Sequence, residues 1–183
     1  MKAREFSTQR LTLRLVDQAI LSYRFFHDSD EELMSFLGLK THEELAKERV
    51  KFEGGLATHN KKFLYFMLLE SNSDKVIGWC GFHTWYTDHF RAEIGYGLFE
   101  EKFKQQGLMT EAMVFIVPFG FDVMKLTRIE AFIGSENDAS IRLARKFGFQ
   151  KEGLLRGHYY NKGIAEDSEV FGLLKNEMRL PIG

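Results

Sequence analysis

Leu11, Leu13 and Leu15 alternate with polar neighbours in RLTLRLV (Arg10 to Val16), the period-two pattern of a half-buried strand. Asp17 stands where an N-cap is expected, and QAILSYRFFH behind it reads as a helix. THEELAKERVKFEGGLATHN (Thr41 to Asn60) is helical and polar, with Thr41 and Glu44 spaced as a capping box. KKFLYFMLLES and KVIGWCGFHTW are apolar, aromatic strands, and NSD (Asn72 to Asp74) between them has turn chemistry, which predicts a hairpin. RAEIGYGLFE is a further strand; Gly95 and Gly97 in its interior mark a bulge or a close approach by another group. A helix then runs from the glycine of KFKQQGLMTEA to about Met124, with Pro118 predicting a kink between Val114 and Phe119. TRIEAFIG alternates as a strand, and SENDASIRLARKFGF reads as cap, helix and a stop at Gly148. Two closing strands, near Phe149 to Tyr159 and Ser168 to Leu174, flank the turn NKG (Asn161 to Gly163). Hairpin-linked strands come early and helix-linked strands late, so the class is mixed α+β.

Composition narrows the picture without naming a function. A chain of 183 residues is expected to form one domain, residues 1–183, with a full core, and 18 Phe supply much of its packing material. With a formal net charge of −1 and no dense Lys/Arg cluster, neither nucleic acid nor an anionic membrane is an expected partner. Cys80 is the one cysteine and cannot form an internal disulfide, which fits a reducing, cytoplasmic setting. MKAREFSTQRL lacks an apolar signal core and no run of about 18 apolar residues occurs, so neither export nor membrane spanning is expected. His27, His42, His59, His83, His89 and His158 show no metal-ligand spacing, and no metal is expected.

Two stretches carry candidate chemistry. The helix after Gly107 begins with N–H groups that have no intrahelical partner, a ready seat for phosphate or pyrophosphate. GxxxxGK[ST] and GxGxxG are both absent, which excludes a P-loop and the dinucleotide fingerprint. In NDASIRLARKFGF, Asn137 suits an N-cap and Ser140 the first helical turn. Taken singly, each stretch is an ordinary element boundary.

Taken together, AEIGYGL, then QQGLMTEA, then NDASIRLARKFGFQKEG resemble the GNAT superfamily of acetyl-CoA-dependent N-acetyltransferases. Within it the chain is similar to the branch of the ribosomal-protein N-terminal acetyltransferases. The opening TQRLTLRLVD and the closing HYYNKGIAEDSEVFGLLKNE match as well, so the resemblance spans nearly the whole chain. Phe26 to Lys62 is its least diagnostic part. The resemblance implies an α+β GNAT fold, a mixed and mostly antiparallel sheet of about seven strands with a splayed central pair and about four helices. The pantetheine arm of acetyl-CoA would lie in the splay against the backbone of Tyr96, Gly97, Leu98 and Phe99. Its pyrophosphate would sit on the turn of Lys104, Gln105, Gln106, Gly107, Leu108, Met109, Thr110 and Glu111. The family pattern of that turn is Arg/Gln-x-x-Gly-x-Gly/Ala; here Gly107 is retained, Lys104 replaces the first residue and Met109 the last small one. Main-chain donors come from any residue type, and Lys104 adds a charge near phosphate. Met109 either crowds the pyrophosphate or points into the core.

Acyl transfer from a thioester to an amine needs a neutral amine, a donor for the oxyanion and a proton for the leaving thiolate. By resemblance Glu93 takes the amine proton; the competing reading is a solvated carboxylate or an ion pair with Arg91 or Arg128. The oxyanion donor is a backbone N–H of the splayed strand. Ala144 stands where many relatives carry an acidic Tyr, so Ser140 becomes the candidate donor near the sulfur, against a plain helix-start role. Asn137 either contacts the cofactor or only caps its helix, and Tyr159 and Tyr160 are further candidates. His83 and Trp85 share a strand face with Trp79 and are expected in packing, with an acceptor cavity as the alternative. Cys80, on the opposite face, reads as a buried small hydrophobe. HDSDEEL (His27 to Leu33) offers carboxylates either to a cationic acceptor or to a solvated helix start. The expected reaction is direct attack, in a ternary complex, by a primary amine: a protein α-amino group or a small molecule such as a polyamine, amino acid or aminoglycoside. The departures at Lys104, Met109 and Ala144 keep a catalytically degenerate acyl-CoA-binding module as the alternative. A monomer or a homodimer is expected.

Overall fold

The computed structural model describes residues 3–54, 62–71, 73, 75–161 and 163–181. Eight strands among them form one sheet: β1 (Glu5–Ser7), β2 (Leu11–Asp17), β3 (Lys62–Glu70), β4 (Val76–Tyr86), β5 (Arg91–Leu98), β6 (Arg128–Gly134), β7 (Gln150–Asn161) and β8 (Ile164–Leu174). Their order is β1-β2-β3-β4-β5-β6-β8-β7. Every pairing is antiparallel except β5 with β6. The helices are α1 (Gln18–His27), α2 (Asp30–Leu37), α3 (His42–Glu53), α4 (Leu108–Asp122) and α5 (Asp138–Lys146). The count exceeds the expected seven strands and four helices by β1 and α2. β1 has three residues, too few to show a period. α2 carried a legible signal, Ser29-x-x-Glu32, which closes as a capping box.

The alternation in β2 is the alternation of the sheet itself. Leu11, Leu13 and Leu15 are buried on one face, in register with Glu70, Leu68 and Phe66 of β3. Phe66 meets Phe115 and Phe119 of α4 edge-on, with ring centroids 5.9 and 5.3 Å away. Cys80 and Phe82 are fully buried. α4 lies close on β4 because position 120 has no side chain: a Cβ there would come 2.6 Å from Phe82 Cζ. On β2, Arg14 lies over the ring of Phe36 in α2, which Arg24 of α1 also covers. The expected caps are present, with Asp17 accepting from the Ile20 N–H at 2.9 Å and the Thr41–Glu44 box closed. The expected extension of the Thr41 helix over residues 55–60, and Asn72, Asp74 and Lys162 of the two expected turns, lie outside the described residues. Pro118 lies inside α4, which continues to Asp122. No helix among the described residues is long and apolar enough to cross a membrane.

Two details of the sheet set up everything that follows. β5 and β6 pair only through Arg91–Glu93 and Arg128–Glu130; beyond that β5 runs on with β4, and β6 with β8. A gap therefore opens between the second halves of two parallel neighbours. In β4, Thr84 takes a φ of +49°, with a register shift between His83 and Tyr86. This bulge breaks the alternation on which a shared face for His83 and Trp85 was expected.

Candidate active site

Strand residues send their N–H and C=O groups to alternate edges. The Phe99 N–H donates to the Ile77 carbonyl of β4 at 2.9 Å, so Tyr96 and Leu98 direct theirs into the gap. The Tyr96 hydroxyl crosses that gap and donates to the Ser140 carbonyl at 3.5 Å. Burial pushes the Tyr96 phenol up to about 12, keeping its proton in place. Ser140 lies in the first turn of α5, half-buried, and its N–H donates to Asn137 Oδ1 at 3.1 Å. Asn137 thus caps α5. Its side-chain oxygen is engaged with its own helix.

At the start of α4, Gly107 has a φ of +76° and no side chain caps the helix. That left-handed turn suits glycine, and it leaves the N–H groups of Leu108, Met109 and Thr110 without helical acceptors. The Glu111 N–H is the first to be used, donating to the Gly107 carbonyl at 2.9 Å. The Glu111 carboxylate accepts from Thr8 Oγ1 at 2.6 Å, from the Arg10 N–H at 2.6 Å and from Arg10 Nε at 2.7 Å. Burial works against its ionisation, but these hydrogen bonds win and hold it below the usual carboxylate range. Arg10 Nη1 also donates to the Gln106 carbonyl at 3.0 Å, which ties the approach to β2 onto the turn. Lys104 is exposed and paired with Glu101. Met109 is half-buried against the core, the second of its two expected orientations. An uncapped helix terminus beside a splayed strand is a donor set that fits a pyrophosphate and an amide-bearing arm.

Glu93 sits where β5 leaves β6. Only 9% of it is exposed, and neither expected arginine reaches it. Glu130 takes both instead, Arg91 Nη1 at 2.6 Å and Arg128 Nε at 2.9 Å, and Arg128 reaches on to Glu152. Burial, then the charge of Glu130, pushes the Glu93 carboxyl up to about 7 against a hydrogen bond from Thr84. His83 faces it from β4, Nδ1 lying 3.6 Å from Oε2. Burial, then the charge of Glu93, raises the Tyr159 phenol.

A cavity of about 990 Å³ adjoins the end of β6, lined by Gly134, Asn137, Tyr159, Tyr160, Glu166 and Asp167. The β7–β8 arm supplies these last carboxylates, which nothing in their local sequence marks. Three of the four in His27 to Leu33 go elsewhere: Asp28 pairs with Arg24, Asp30 with Arg49, and Glu32 closes the α2 cap. Glu130 was also missed, although it occupies the polar phase of RIEAFIG and pairs in register with Glu93.

The Acetyltransferase (GNAT) domain family matches residues 10–150, and the chain belongs to that family. It is similar to the uncharacterized N-acetyltransferase YoaA of Bacillus subtilis, 32% identical over 169 residues that cover 92% of this chain and 95% of the relative. A GCN5-related N-acetyltransferase structure from Brucella melitensis matches with a TM-score of 0.68 at 25% identity, over 97% of this chain and 81% of that one. The ribosomal-protein-S5-alanine acetyltransferase of Vibrio fischeri shares the fold, with a TM-score of 0.66 at 19% identity over 96% and 99% of the two chains. The protein is an acetyltransferase enzyme.

Proposed function

We propose that the chain transfers an acetyl group from acetyl-CoA to a primary amine by direct attack within a ternary complex, with Glu93 receiving the amine proton. The observation that carries this is a buried carboxylate with no arginine or lysine partner among the described residues, its pKa pushed up to about 7 where the sheet opens. When bound, acetyl-CoA supplies the activated acyl group. The N–H groups of Tyr96 and Leu98 hold its pantetheine arm, and those from Gln106 to Thr110 its pyrophosphate. Gly97 and Phe99 shape the strand, Lys104 and Gln105 the approach to the turn, and Leu108 and Met109 anchor the turn in the core. A donor aimed into the gap from β5 stabilises the oxyanion. Ser140, with the Tyr96 hydroxyl beside it, returns a proton to the leaving thiolate, and Asn137 fixes the backbone that presents it.

The acceptor is a protein N-terminal α-amino group or a small-molecule amine, and Glu166 and Asp167 beside Tyr159 favour a cationic one. The reading treats residues 1–183 as one domain acting in the cytoplasm, where a reduced Cys80 persists, as a monomer or homodimer. Titrating acetyl-CoA by calorimetry, while following thiol release against a panel of peptides and small amines, tests it. Binding followed by amine-dependent thiol release is expected. Tight binding without thiol release for any amine would leave only an acyl-CoA-binding module.

A further inference from the structure

Net transfer from a thioester to an alkylammonium yields an amide, a thiol and one proton. The N–C bond forms, the C–S bond breaks, one ammonium proton stays with the thiol product and another must reach solvent. Glu93 can take a proton, but with 9% exposure it is poorly placed to release it. Its facing neighbour is better placed. The His83 side chain is 40% exposed, and its Nδ1 lies 3.6 Å from Glu93 Oε2.

Three features hold the imidazole there. The bulge at Thr84 aims the end of β4, and Thr84 Oγ1 lies 3.1 Å from His83 Nδ1. Position 95 has no side chain, and a Cβ there would come 2.8 Å from both His83 Nε2 and Trp79 Cη2. The ring therefore lies in space that Gly95 leaves open, directly across from the base.

We infer that His83 is the proton relay of the site, receiving the amine-derived proton from Glu93 on Nδ1 through the Thr84 hydroxyl that lies between them, and releasing one to solvent from its other nitrogen. It acts through Glu93, so it is a positioning and relay residue; the inference rests on the acetyltransferase reading of the site. The groups facing the pair are consistent with this. Glu130 on β6, paired with Arg91 and Arg128, still adds to the rise of Glu93; Tyr159 on β7 is a neutral phenol, and Thr84 is a neutral hydrogen-bond partner. Burial also lowers the affinity of His83 for a proton, so the ring is free to accept one and lets it go readily.

The test has two arms. In wild type, the ring resonances of His83 carry an inflection near pH 7 that reports Glu93, and Glu93→Gln abolishes it. In turnover, His83→Ala lowers kcat roughly 10- to 100-fold, below the effect of losing a direct general base, with acetyl-CoA affinity retained. Millimolar imidazole restores much of the loss, equal pyrazole, a far weaker base, does not, and His83→Gln stays impaired. An unimpaired His83→Ala, a loss imidazole cannot rescue in a folded variant, or ring resonances indifferent to Glu93 would each overturn the relay alone. An unmodified chain that releases no thiol with any amine would overturn the relay and the acetyltransferase reading together.

Discussion

Glu93 is costly to the fold and, as the proposed base, suited to the reaction for the same reason. Its carboxyl is pushed from 4.5 to about 7 mainly by burial, with Glu130 adding to the effect. A group whose folded pKa is raised binds more protons folded than unfolded. Its stabilising contribution is complete below about pH 4.5 and fades as pH rises through about 7. Glu93→Gln should therefore raise the melting temperature above pH 7 relative to wild type, by up to about 3 kcal/mol of stability, and leave it little changed at pH 4. The same substitution should lower turnover by about 10²- to 10⁴-fold and remove the rise in wild-type rate with an apparent pKa near 7, with acetyl-CoA affinity kept. Thermal scans and pH–rate profiles on one pair of proteins read both effects. Turnover equal to wild type would remove Glu93 from the mechanism.

The start of α4 turns a local backbone choice into a set of free N–H donors, the proposed pyrophosphate seat. Gly107 adopts a left-handed conformation, and the nearest atom to an added Cβ is Arg10 Nη2 at 3.7 Å, so space is available and conformation is the obstacle. Gly107→Ala should cost about 1–2 kcal/mol and weaken acetyl-CoA binding by disturbing the turn. Calorimetry on the variant reads the second effect. Glu111 works on the turn from the other side, as the shared acceptor of Thr8 and Arg10. Glu111→Ala leaves those donors without a partner and should cost about 1–3 kcal/mol, visible as a lower denaturant midpoint. The sequence marked Gly107 and the helix behind it. It did not show that the Glu111 carboxylate is bound from the β1–β2 connection, because residues about a hundred positions apart meet only once the sheet has formed.

At the scale of the molecule, the packing of α4 on β4 and the splay of β5 from β6 act on one site. Gly120 lets α4 lie close, with Phe82 Cζ 2.6 Å from where a Cβ would stand. Gly120→Ala should cost about 1–3 kcal/mol by overpacking and, by moving the helix whose first turn is the proposed pyrophosphate seat, weaken acetyl-CoA binding as well. Thermal melts with and without acetyl-CoA separate the two effects.

Period-two and helical patterns, together with Asp17, Thr41, Asn137 and Gly107, were enough to determine the α+β class and most element positions, and the family resemblance singled out the turn and strand proposed to hold the cofactor. Those features are local: alternation and capping depend on residues a few positions apart. Contacts between distant strands were decided by the tertiary structure alone. It gave Arg91 and Arg128 to Glu130, left Glu93 to face His83, turned Asp30 and Glu32 of α2 to an ion pair and a cap, and brought Glu166 and Asp167 to the cavity. Each outcome depends on which side chains meet across a sheet whose central strands part, and on the burial that results. Burial and pairing set a carboxylate's charge, and neither exists until the chain has folded.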